Sequence, residues 1–221
     1  MYRLSAPAHD EVRVRTRCHH CQHPFPTGPA GWLPPRNRCR HCHQSLGPPT
    51  AATITATTAT CALITLRLPD SPLLPALLAS AIAGLAAALV DLRCRRLPDL
   101  LVLPTAALCA LAITITGIAQ ADPLHVARAF AGSAALATTL LILAVTTGGY
   151  GMGDVKAIAW TGLLAGWQGP TALLIAAAGP FVIQAPIALA LLATKRVGRH
   201  STLAFGPALL AAGLLAITVA A

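Results

Sequence analysis

Gly148-Gly149-Tyr150-Gly151-Met152-Gly153-Asp154-Val155-Lys156 sets an ionisable carboxylate and a glycine-rich, poorly helical loop between two long apolar runs. An acid at membrane depth costs free energy and faces a cavity or a partner, so it is a functional-site candidate by default. The chain offers one obvious partner. Asp91 ends another apolar run and is followed by Leu92-Arg93-Cys94-Arg95-Arg96-Leu97-Pro98-Asp99, so two acids stand at the ends of hydrophobic segments about sixty residues apart. The remaining chain reads as a scaffold that brings Asp91 and Asp154 together.

Composition fixes the solvent. Of 221 residues, 55% are hydrophobic and 10% charged, whereas about a quarter of a soluble domain is charged. The chain is therefore expected in a lipid bilayer. A formal charge of +9 would suggest nucleic acid only if the basic residues formed one patch. They are spread over loops, so no nucleic-acid partner is expected.

Residues 1–49 are polar, basic and rich in Pro, His and Cys, and the composition changes abruptly at Thr50. The change divides the chain into two domains, 1–49 and 50–221. Apolar runs fall at about 50–68, 72–90, 100–119, 127–147, 155–167, 171–193 and 202–220. At about 1.5 Å per residue most match a hydrocarbon core of about 30 Å. The fifth run is short, and the first is Thr-rich, with hydroxyls able to bond carbonyls of their own helix. The expected architecture is an all-α polytopic membrane protein of about seven transmembrane helices behind a small N-terminal zinc-binding cytoplasmic domain.

The N-terminus, with Arg3, Asp10, Glu11, Arg13, Arg15 and Arg17, lacks the apolar core of a cleaved secretory signal. Residues 1–49 then stay inside, and seven spans put every Lys and Arg except Arg67 and Arg128 on the cytoplasmic side. The positive-inside rule selects that topology. It also brings Asp91 and Asp154 to the same membrane face. Ala79, Ala83, Gly84 and Ala87 in the second run, and Ala131, Gly132 and Ser133 in the fourth, allow close helix packing.

Cys18-x2-Cys21-x17-Cys39-x2-Cys42 is a zinc pattern, since two hairpin-like pairs each offer two thiolates to one tetrahedral ion. A structural zinc also compensates for the missing core of so small and polar a domain. His19, His20, His23, His41 and His43 surround the cysteines, and one of them could replace a thiol. The paired spacing implies a reducing compartment. Cys61, Cys94 and Cys109 are single and expected to pack as small hydrophobes.

Two carboxylates within a few ångströms share a proton. One can then act as general base on a water while the other protonates the leaving amine, which hydrolyses a peptide bond. Gly148, Gly149, Gly151 and Gly153 supply backbone that approaches a substrate or a helix closely. Spacing alone leaves another reading open, in which Asp154 caps the fifth helix and Asp91 snorkels against Arg93 or Arg95.

Gly151-Met152-Gly153-Asp154-Val155-Lys156 resembles the GxGDxK motif of the type IV prepilin peptidases, a GxGD class of intramembrane aspartyl proteases. Asp91 with its basic stretch and Leu97-Pro98-Asp99 is similar to the family's first motif, with Leu97 and Asp99 where Ile and Asn are usual. Phe205-Gly206-Pro207-Ala208-Leu209 resembles the Pro-Phe-Gly-Pro segment of the last helix, with Ala204 in place of the first proline. The resemblance implies Asp91 and Asp154 as the catalytic pair, Gly151, Gly153 and Lys156 as the motif loop, and prepilins or pseudopilins as substrates. It also implies the cell inner membrane as location, with the N-terminus cytoplasmic. Lys156 would tune the aspartates, meet a phosphate headgroup or anchor the helix end.

In bifunctional members the two CxxC pairs accompany S-adenosylmethionine-dependent methylation of the new N-terminus. Those members carry a helix ahead of the zinc region. Met1-Tyr2-Arg3-Leu4 looks like the residue types just after that helix, so the chain is either shortened or started late, and methylation stays open. Two other classes compete: a proton-coupled transporter that uses the acids, and a non-catalytic adaptor that presents the zinc domain. Presenilin-like proteases share Pro207-Ala208-Leu209, but Val90 stands where they have tyrosine before the first acid.

Overall fold

Seven helices succeed one another in the computed structural model, which describes residues 17–18, 20–25, 38–46, 49–195 and 204–219. They are α1 (Thr50–Arg67), α2 (Leu74–Cys94), α3 (Asp99–Ala119), α4 (Pro123–Thr147), α5 (Met152–Gln168), α6 (Pro170–Ala193) and α7 (Gly206–Val219). The Met1-Tyr2-Arg3-Leu4 start, His19 and the cations Arg3, Arg13, Arg15, Arg36, Arg196 and Arg199 lie outside the described residues.

Local chemistry sets these boundaries. In α1 the Thr hydroxyls bond back to carbonyls one turn earlier, as Thr57 does to Thr53 at 2.8 Å and Thr60 to Ala56 at 2.9 Å. α4 opens on the Asp122 side chain, which accepts from the His125 N–H, with Pro123 at the first position. It closes on Gly148 at φ +63, whose N–H returns to Ala144, as a left-handed glycine cap does. α2 runs to Cys94 and is stopped by Arg95 in the left-handed region, so Asp91 lies within the helix rather than beyond it. The apolar run closes at 90 because Asp91, Arg93 and Cys94 form a polar last turn. For the same reason α5 starts at Met152, ahead of its apolar run, and takes Asp154 into its first turn.

α2, α3, α4 and α6 are long and apolar enough to cross a membrane, which makes this a multi-pass membrane protein. α1, α5 and α7 fall outside that group; α7 is a shorter apolar helix of 14 residues. α5 packs against α3, α4, α6 and α7, and α7 packs against α1, α2, α5 and α6. These two are the middle of the bundle. Glycines let the backbones close up. A Cβ at Gly162 would meet the Ser133 Cα at 2.9 Å, and one at Gly166 would meet the Ala129 Cα at 2.8 Å, so α4 and α5 touch main chain to main chain. Arg128 fixes the same pair by donating to the last carbonyls of α5, Gly166 at 2.9 Å and Trp167 at 3.1 Å.

One polar knot ties α2, α3 and α5 deep in the core. Trp160 Nε1 donates to Ser80 Oγ at 3.2 Å, and Ser80 lies 3.0 Å from Cys109 Sγ. Cys109 is buried there, as a small half-polar hydrophobe packs. Ser80 shares α2 with Asp91 and Trp160 shares α5 with Asp154, so this knot fixes how the two acid-bearing helices face each other.

Candidate active site

Asp91 stands on the last turn of α2 and is only 4% exposed. Its Oδ2 accepts the main-chain N–H of Gly206, the first residue of α7, at 2.9 Å. The fit has no slack: a Cβ on Gly206 would come within 2.7 Å of that oxygen and 3.1 Å of Cγ. A helix N-terminus carries free N–H groups and a partial positive charge, so α7 presents its favourable end to the acid. The charge of Arg95 also acts on Asp91.

Asp154 is half-buried, in the first turn of α5, and its Oδ2 accepts the Gly151 N–H at 3.0 Å. That is the capping expected of an acid at this position. Asp91 and Asp154 lie close enough for the charge of one to act on the other. α2 and α5 are brought to this proximity by α7 and α3, which pack beside both. The structure therefore unites the two expected acids and gives each one main-chain donor.

The rest of the motif loop has distinct places. Gly153 packs on the turn after α2, where a Cβ would meet Leu97 Cβ at 3.0 Å and its main chain at 3.5 Å. Lys156 pairs with Asp99 rather than with Asp91 or Asp154, Nζ to the two carboxylate oxygens at 2.8 and 2.9 Å. Both partners are partly exposed. Asp99 is thereby accounted for as the Lys156 partner at the start of α3. Arg93 does not salt-bridge Asp91; its Nη1 donates to the Leu46 carbonyl at 3.0 Å, tying the cysteine region to the end of α2.

Sequence reading missed the rings beside the acids. Tyr150, Phe181 and Phe205 form a cluster with centroids 5.1 to 6.2 Å apart. Tyr150 feels the charge of Asp154. The available signal was that Tyr150 and Phe205 each directly precede a motif glycine.

The four cysteines converge. The Sγ atoms of Cys18, Cys21, Cys39 and Cys42 lie within 4.8 Å of one another, with Cys18 to Cys42 and Cys21 to Cys39 both 3.8 Å apart. A tetrahedral ion with metal–sulfur bonds of about 2.3 Å needs edges of about 3.8 Å. The thiols fit a metal ion. Each pair sits on the same turn: Cys18 N–H to the His23 carbonyl and Gln22 N–H to Cys18, then Cys39 N–H to Gln44 and His43 N–H to Cys39. Gln22 and His43 take matching positive φ values of 56° and 57°. Leu46 and Phe25 pack on the cysteines. Among the described residues no histidine joins the group; His23 and His41 stack on each other instead, 4.7 Å apart.

The structure is a multi-pass helical membrane bundle with Asp91 and Asp154 at one end, each accepting a glycine main-chain N–H. A family model described as the type IV leader peptidase family matches residues 78–189, more than half of the chain, including both Asp91 and Asp154. The chain belongs to that family and is a peptidase. No curated protein and no solved structure matches it.

Proposed function

We propose that the chain is an aspartyl endopeptidase that removes the basic leader of prepilin-like proteins at the cytoplasmic face of the inner membrane, with Asp91 and Asp154 as its catalytic pair. The observation that carries this reading is the pair itself: two carboxylates from separate helices, within electrostatic reach, each with one oxygen engaged by a main-chain N–H. Each acid keeps a second oxygen for chemistry.

Two such acids hold one proton between them. The ionised carboxylate takes a proton from water as its oxygen attacks the scissile carbonyl carbon, and the protonated one supports the developing oxyanion. Collapse breaks the C–N bond as a proton passes to the leaving amine, releasing the leader acid and a new N-terminus. Roles of Asp91 and Asp154 exchange over the cycle. The glycines of 148–153 shape the loop that leads into Asp154.

All seven helices cross the bilayer in this reading, with the N-terminus inside and Arg93, Arg95, Arg96 and Lys156 at the cytoplasmic end. The domain of residues 1–49 holds zinc through Cys18, Cys21, Cys39 and Cys42. Zinc would supply the cross-link between two turns that have almost no core of their own, and it takes no part in hydrolysis. Methylation of the new N-terminus from S-adenosylmethionine is a separable activity.

Asp91→Asn and Asp154→Asn are the test, with a prepilin-type substrate co-expressed in membranes and leader loss read by gel shift. Each variant should accumulate normally and leave the substrate uncut. Cleavage retained in either one overturns the assignment. The mass of the wild-type product reports methylation.

A further inference from the structure

Each acid is held by a glycine N–H, and each of those glycines directly follows an aromatic residue. Tyr150 precedes Gly151, which grips Asp154 at 3.0 Å; Phe205 precedes Gly206, which grips Asp91 at 2.9 Å. The two rings meet edge to face, centroids 5.1 Å apart at 72°, within the range that aromatic pairs prefer. Phe181 of α6 closes the set, 6.2 Å from Tyr150 and 5.6 Å from Phe205.

We infer that Tyr150 and Phe205 form an aromatic clasp that sets the separation of the two carboxylates, with Phe181 as its backstop. This rests on the reading of Asp91 and Asp154 as the catalytic pair. A single peptide unit links each ring to the donor that holds an acid, so ring contact translates directly into carboxylate spacing. Apart from the Gly148 N–H bond to Ala144 and the Gly149 N–H bond to Thr147 Oγ1, both back to the end of α4, the loop packs sparsely. A Cβ on Gly148 would meet nothing within 4 Å, and one on Gly149 only Thr147 Oγ1 at 3.4 Å. Phe205, by contrast, is buried and packs in the main core. The clasp thus moors a loosely packed loop to a fixed point beside Asp91. Tyr150 and Phe205 are positioning residues.

The test separates ring from hydroxyl and spacing from folding. With a prepilin-type peptide in detergent micelles, Tyr150→Ala and Phe205→Ala should lower kcat by about tenfold to a hundredfold, the effect of misplacement on the order of 1 Å, with KM within about threefold. Their pH–rate bells should narrow, because carboxylates that move apart couple less and their two apparent pKa values converge. Arg95, the charge that acts on Asp91, is unchanged in these variants, and Tyr150→Phe controls for the loss of the Tyr150 hydroxyl beside Asp154. Tyr150→Phe should keep both rate and bell. Should the alanine variants fail to accumulate, Tyr150→Leu and Phe205→Leu keep apolar bulk without a ring and should show the same narrowing. A full-width bell in Tyr150→Ala or Tyr150→Leu, or a loss in Tyr150→Phe as large as in Tyr150→Ala, overturns the clasp. Inactive Asp91→Asn and Asp154→Asn alongside such a result leave the catalytic pair standing; cleavage by either Asn variant removes the pair and the clasp with it.

Discussion

Replacing Gly206 by Ala puts a methyl group where Asp91 already is. The new carbon would lie 2.7 Å from Oδ2, 3.1 Å from Cγ and 3.2 Å from Cβ, and ordinary contact begins at 3.4 Å, so about 0.7 Å must be found. Swinging the carboxylate away does not suffice, because Asp91 Cβ is itself too close and is fixed to α2. Either Asp91 rotates and loses the 2.9 Å bond from the Gly206 N–H, or α7 retreats and takes Phe205 with it. A hydrogen bond to a charged group contributes about 1.5–3 kcal/mol, which corresponds to about tenfold to 150-fold in rate if it is all lost from the reacting arrangement. Gly206→Ala should therefore cut kcat on a prepilin-type substrate by that range with KM little changed. Gly149→Ala is the matched control: its Cβ meets only Thr147 Oγ1 at 3.4 Å, and its φ is not in the left-handed region, so leader removal should stay near wild type. Purified variants assayed for single-turnover cleavage, with thermal unfolding in the same detergent, distinguish rate from folding. A kcat for Gly206→Ala within about threefold of wild type would refute the view that this contact orients Asp91.

Cys18→Ser or Cys39→Ser should abolish binding of one metal equivalent per chain, measured by elemental mass spectrometry on the purified protein; retained stoichiometry would exclude the four-thiol site. Lys156→Asp and Asp99→Lys should each slow cleavage by no more than about fivefold, and the double swap should restore it, since a partly exposed pair contributes about 0.2–1 kcal/mol; a loss of about a hundredfold in either would mean that Lys156 acts on the acids directly. Gly166→Val should destabilise the bundle by about 1–3 kcal/mol or more through overpacking, because its Cβ would strike Ala129 Cα and the Arg128 carbonyl at 2.8 Å, and a lowered midpoint of thermal unfolding reads this. On the opposite end of the bundle, the main-chain N–H of His125 bonded to Asp122 holds that carboxyl below the usual range. Its stabilisation is full above the unfolded pKa of about 3.9 and disappears as pH falls through the lower folded value; Asp122→Ala should remove that acid dependence from the unfolding midpoint.

Helix order was legible because it depends on local pattern, and the motif spacing singled out two acids that the structure places at one end of the bundle. Apolar runs separated by Pro, Gly and charge correspond to all seven helices, and the Thr-rich first run folds through the back-bonds its composition suggests. The cysteine spacing likewise brings four sulfurs within 4.8 Å of one another. What the pattern could not supply was pairing across the chain. Nothing near Lys156 in sequence points to Asp99, 57 residues away, nor anything near Arg93 to the Leu46 carbonyl. Gly206 is recognisable as part of a motif, but its partner lies 115 residues earlier. The reason for that glycine is steric and exists only once α7 meets α2.

The short helices show why apolar length misjudges such a chain. α5, at 17 residues, spans about 26 Å, and α7, at 14, about 21 Å, less than the hydrocarbon core requires of a lipid-facing helix. Yet ten residues of α5 and eight of α7 are buried, against three of the 24 in α6. A helix enclosed by other helices meets protein, so polar ends and irregular backbone at depth are tolerated there. The ends that fall short are the ones beside the two acids. α5 stops early at Gly151 and α7 at Gly206, and the free N–H groups exposed by stopping are the ones that hold Asp154 and Asp91. Extending either helix to full span would consume those donors, so the shortness that weakens the hydrophobic signal is what equips this end of the bundle to hold two acids.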